Sequence, residues 1–79
     1  MSKYIKTLEN GKRVAWGYDT FLGYFLQVFA VSDDDGEDII VIDESSVNGM
    51  SNGKMIELMD VYKLPETHIE RVAMDLPIE

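Results

Sequence analysis

The sequence predicts an α+β domain, an antiparallel β-meander of three to four strands followed by a C-terminal helical hairpin packed on one face. Two observations predict it. Up to residue 43 the apolar residues come in short strand-like runs separated by Gly, Asn and Asp. From Ser51 onward they recur at three- and four-residue spacing, interrupted only by Leu64-Pro65. Strands first and helices second imply segregated layers, a sheet with helices laid on it. A chain of 79 residues has room for one domain, 1–79, with a small core.

Residues 4–8 (YIKTL) alternate as a strand does, and Asn10-Gly11 is a strong hairpin signal. The return arm is 13–18 (RVAWGY). Asp19 to Gly23 reads as a connection in which Gly23 supplies an unusual backbone angle. Residues 24–31 (YFLQVFAV) are aromatic, β-branched and too short for a helix, so they read as the central strand. Being apolar on both faces except at Gln27, that strand calls for cover on both, from helices or from a partner. The turn Asp33-Asp34-Asp35-Gly36-Glu37 leads into 38–43 (DIIVID), whose centre, Ile39-Ile40-Val41-Ile42, reads as a strand to be buried.

Ser51 is a suitable cap for a first helix, its hydroxyl able to accept from an unpaired amide of the first turn. Met55, Leu58, Met59 and Tyr62 form the inner stripe of that helix, with Glu57, Asp60 and Lys63 outside. Leu64-Pro65 ends it, because a residue before proline is pushed out of the helical region. The second helix runs from Glu66 to Leu76 with Ile69, Val72, Ala73 and Leu76 inward, and Pro77 stops it.

Little in the chain points to catalysis. Gly49-Met50-Ser51-Asn52-Gly53-Lys54-Met55 resembles a phosphate loop, but three residues rather than four separate the glycines. Met55 also stands where a magnesium-binding Ser or Thr is required. Counting back from Gly36 as the sixth position of a calcium loop puts apolar Val31 first and Ile42 last. That leaves only weak, non-specific divalent binding to clustered carboxylates. With no cysteine there is no thiolate nucleophile or disulfide, and the lone His68 reads as a solvated residue on a helix surface. Catalytic, metal and cofactor residues are therefore expected to be none, and the chain is expected not to be an enzyme.

Charge is the extreme property. Fifteen acids oppose seven bases, a formal net charge of −8. Residues 1–13 hold Lys3, Lys6, Lys12 and Arg13 against Glu9, whereas the remainder carries fourteen acids against Lys54, Lys63 and Arg71. Residues 32–45 contain seven carboxylates and no base. Such a surface repels nucleic acid and anionic membrane, and attracts basic proteins. The second helix has the wrong sign for a DNA reader. Lacking a signal peptide and any span of roughly 20 apolar residues, the chain is expected to be cytoplasmic.

The function expected is a non-enzymatic, acidic protein-binding module that occupies the basic surface of a nucleic-acid-binding protein. Asp33, Asp34, Asp35, Glu37 and Asp38 are the expected partner-binding acids, and Phe21 and Leu22 the apolar anchor beside them. Small, acidic, cysteine-free domains of this kind are familiar among phage and mobile-element inhibitors, including anti-CRISPR proteins and DNA mimics. The likeness is one of type and rests on no motif. The alternative is a small homo-oligomeric or homodimeric accessory domain whose acids give only solubility.

Overall fold

The computed structural model describes residues 2–9, 11–31 and 38–78. Four antiparallel strands, β1 (Ser2–Thr7), β2 (Arg13–Asp19), β3 (Gly23–Val31) and β4 (Asp38–Ser45), form one sheet in the order β1-β2-β3-β4. A short 3₁₀ turn (Ser46–Asn48) leads to α1 (Asn52–Val61) and α2 (Glu66–Ala73), which pack together over one face. The α+β meander with a helical hairpin is the architecture expected, with four strands.

Pairing explains the division of side chains. Tyr4, Trp16, Leu26 and Glu44 share one row across the sheet, and Lys6, Val14, Val28 and Ile42 the next. These rows face the helices, where Val14, Trp16, Tyr24, Leu26 and Val28 meet Met55, Leu58, Met59 and Val72 in the core. Burying each such side chain favours the folded state by about 1.5–3 kcal/mol. Gly17 is demanded by space: a Cβ there would lie 2.1 Å from the Ser2 carbonyl oxygen. Gly23, at φ 72°, makes the left-handed turn expected of it.

Both helices end in the same way, and not at proline. Lys63 takes a left-handed φ of 54°, with Lys63 N–H donating to Asp60 O and Leu64 N–H to Met59 O. Asp75 repeats this at φ 58°, with Asp75 N–H on Val72 O and Leu76 N–H on Arg71 O. Each is a Schellman closure that satisfies two terminal carbonyls. So α2 stops at Ala73, short of the predicted Leu76, and Ala73 and Leu76 are exposed instead of lining the core. The chain then turns back, and Ile78, 2 % exposed, fills the core position expected of Leu76. The Tyr24 hydroxyl donates to Leu76 O at 2.7 Å, and the Ser2 hydroxyl donates to Ile78 O. Burial, then the negative charge of Asp75 and of Tyr18 when ionised, hold the Tyr24 phenol above its ordinary pKa, so that it stays a donor.

One further expectation is corrected. The Ile39–Val41 run is not buried: Ile39, Ile40 and Val41 are 53 %, 55 % and 51 % exposed, and only Ile42 packs on the core. The cause lies in the register. β2 pairs with β3 no further than Arg13↔Phe29, while β4 continues to Val31↔Asp38, so the β3–β4 ribbon outruns its neighbours. A bulge at Val28/Phe29 also places Ile42 opposite Val28 and Ile40 opposite Phe29, leaving Val41 without a partner. The helical hairpin covers one face, as expected. The helices lie on one face of β3 only, so the sheet keeps a face uncovered by any described element.

Candidate interaction surface

Asp33, Asp34, Asp35 and Glu37 lie outside the described residues, as does Asn10 of the predicted first turn. Asp38 opens β4 opposite Val31. Phe21 and Leu22 occupy the β2–β3 turn, where Asp19 Oδ1 accepts from the backbone N–H groups of both, at 2.8 and 3.3 Å. That turn holds Phe21 outward, 87 % exposed, beside the 61 % exposed Val47, whose N–H donates to Leu22 O. The turn and Asp38 stand at opposite ends of β3. Eight residue steps at about 3.3 Å put them about 26 Å apart. Asp38 and the Phe21–Leu22 turn are therefore separate places.

Carboxylates among the described residues are found on both layers. Asp43 is on the open sheet face, Glu44 in a helix-side row, Glu57 and Asp60 on α1, Glu66 and Glu70 on α2. The basic N-terminal cluster is partly committed to the fold, since Lys6 Nζ donates to Tyr62 O and Lys63 O at 3.1 and 3.2 Å. There it closes the carbonyl end of α1, where a cation is favoured.

His68 is not the solvated residue expected. It is partly buried and accepts a hydrogen bond at Nδ1 from Trp16 Nε1 at 3.0 Å, with the Tyr4 ring centroid 4.6 Å away. A ring nitrogen that accepts must be unprotonated, and burial lowers the His68 pKa below its ordinary 6.5. Because the unfolded chain then binds the proton more readily, stability from this group is full above about pH 6.5 and falls as pH drops toward the folded pKa. Denaturation midpoints measured between pH 7.5 and 5 are expected to fall less for His68→Gln than for the parent chain.

Shallow concavities border this fold. The one on the open sheet face, about 190 Å³, is lined by Lys3, Ile5, Arg13, Ala15 and Phe29. A second lies between Leu8 and Val61, and a third runs along α2 beside Glu70, Arg71 and Met74. Among the described residues no group of three or more His, Asp or Glu side chains is placed to hold a metal ion. Nor is any described helix long and apolar enough to cross a membrane.

The most open apolar stretch is β4, an edge strand with nothing described along its outer side. Ile39, Ile40 and Val41 stand exposed on this strand, with Asp38 before them in the sequence and Asp43 and Glu44 after. No family model matches the chain, and neither a curated protein nor a solved structure is significantly similar to it.

Proposed function

We propose that this domain is a non-enzymatic binding module that offers β4 to an extended basic segment of a partner protein. The observation carrying this is the exposure of Ile39, Ile40 and Val41 on an edge strand bracketed by acids. An edge strand has unpaired backbone groups that another strand can join, which supplies affinity. Alternate apolar side chains add contact area. The carboxylates that flank this run in the sequence, Asp33, Asp34, Asp35, Glu37 and Asp38 before it and Asp43 and Glu44 after it, select lysine and arginine and raise the rate of encounter.

The same charge pattern argues against β4 pairing with β4 of a second copy. An antiparallel pair centred on Val41 would set Asp38 opposite Glu44 twice, and like charges directly opposite destabilise a ladder. The partner favoured is a nucleic-acid-binding protein, whose basic groups normally hold phosphates. Occupying them would make the domain an inhibitor of the DNA-mimic or anti-CRISPR type, of phage or mobile-element character.

The test is titration with a Lys/Arg-rich extended peptide, followed by backbone amide shifts at several salt concentrations. Amides of β4 are expected to shift. Changing Asp33, Asp34, Asp35, Glu37 and Asp38 to Asn or Gln should weaken binding about tenfold or more at low salt and flatten its salt dependence. Ile39→Ser with Val41→Ser should shorten the lifetime of the complex, the association rate being little changed. Binding unaltered by either set of changes would refute the proposal.

A further inference from the structure

α2 meets the sheet at an aromatic cluster that contains one titratable base. Tyr4 of β1 and Trp16 of β2 stand in one row of the helix-side face, their rings stacked with centroids 5.8 Å apart. His68, in the first turn of α2, closes the cluster, 4.6 Å from the Tyr4 centroid and 6.1 Å from that of Trp16. Its Nδ1 accepts from Trp16 Nε1 at 3.0 Å. An indole has a donor and no acceptor, so this bond exists only while Nδ1 is bare and the ring's single proton is on Nε2. Trp16 is buried, which leaves water little access to its N–H. The two ends of α2 are held differently. Toward the C-terminus Val72 is wholly buried, and Asn52 Nδ2 donates to Val72 O and Asp75 Oδ1 at 3.4 and 3.0 Å. In the first turn Glu66 and Thr67 are exposed, and His68 and Ile69 are half-buried.

From this arrangement we infer that His68 is a proton-operated latch: neutral, it fastens the first turn of α2 to Trp16, and protonated, it lets that turn come away and opens the Tyr4–Trp16 pair to solvent. A protonated imidazole carries N–H on both nitrogens, so two donors would face each other across 3.0 Å. A buried donor without a partner is costly, and the ring leaves for water, where its charge is solvated. The surrounding charges are few. On α2, Glu66 and Glu70 flank His68 and favour the cation once it is in solvent, while Arg71 opposes it. From β1, Lys6 lies on the same side as Tyr4 but keeps its Nζ on Tyr62 O and Lys63 O. From β2, Tyr18 packs on Tyr24, and Glu44 of the same row stands two strands beyond Trp16. On and after α1, Lys54, Glu57, Asp60 and Lys63 are exposed. Burial disfavours the charged ring in the shut form, so the latch is closed above about pH 6.5 and opens as pH falls toward the lowered pKa. Leu64 and Val72, both buried, pin the chain on either side, which confines the change to the turn between them. It leaves β4 untouched and stands apart from the binding proposed above.

Hydrogen exchange of the full chain, followed by NMR at about pH 7.5 and about pH 5 and corrected for the intrinsic pH dependence of exchange, tests this. The indole N–H of Trp16, the one tryptophan, reports the latch directly. In the parent chain that N–H and the amides of His68 and Ile69, which donate to Pro65 O, should lose protection about tenfold at the lower pH, while those of β2 and β3 hold. His68→Gln keeps an acceptor that does not titrate, so its protection should be equal at both pH values. His68→Ala should be loose at both. The inference is overturned by a parent chain equally protected at both pH values, or by His68→Gln loosening as the parent does. Sheet amides losing protection in step with those of α2 would also overturn it, because the chain would then be unfolding as a whole.

Discussion

Leu26→Ala is expected to cost about 2–5 kcal/mol, enough to leave much of the population unfolded at physiological temperature. Leu26 is wholly buried in β3, between Trp16 of β2 and Glu44 of β4 in its row, with the helices above. It cannot be replaced by inward movement of its neighbours, because paired strands on both sides hold the backbone in place. A domain of this length has stability of only about 4–12 kcal/mol. Each kcal/mol lost lowers Tm by about 4–8 °C in a domain of this size, so the variant should melt about 8–40 °C earlier. Urea unfolding should show a lower midpoint at an unchanged slope. A shift under about 1 kcal/mol would mean that β3 does not pack under the helices as described.

Ile78→Ala is the second large effect, expected at about 2–4 kcal/mol. The position looks dispensable: it follows a proline, next to the last residue of the sequence. Yet Ile78 is 2 % exposed, and its carbonyl oxygen accepts from the Ser2 hydroxyl, which also accepts from Tyr18 N–H. The closing segment thus clamps the start of β1 to the sheet. Leu76→Ala, at a side chain 37 % exposed, serves as the control and should cost less than about 1 kcal/mol. Amide exchange should quicken at Lys3 and Tyr4 in Ile78→Ala and remain slow in Leu76→Ala. Equal effects of the two substitutions would place the clamp elsewhere.

The order and type of the four strands and two α-helices were legible in the sequence. The cap at Ser51 was legible too, since its hydroxyl accepts from Lys54 N–H at 3.1 Å as a serine before a helical stripe should. What escaped the sequence follows a pattern. The Schellman closures at Lys63 and Asp75 use non-glycine residues at positive φ, which carry no compositional mark. His68 read as solvated because its helix shows acids on either side, while its actual neighbours, Tyr4 and Trp16, are 64 and 52 positions away. The expected contact site joined Asp38 with Phe21 and Leu22, which are close in number, and the length of β3 separates them.

By itself the sequence determined what is local: where strands give way to helices, which residues alternate inward, where the chain turns, and that its charge is strongly negative. These follow from backbone preference and periodicity over a few residues. Only the tertiary structure decided that Ile39, Ile40 and Val41 stay in water and that Ile78 closes the core. Those outcomes depend on how far each strand is paired and how much two short helices can cover, quantities set by the meeting of distant segments rather than by any one of them.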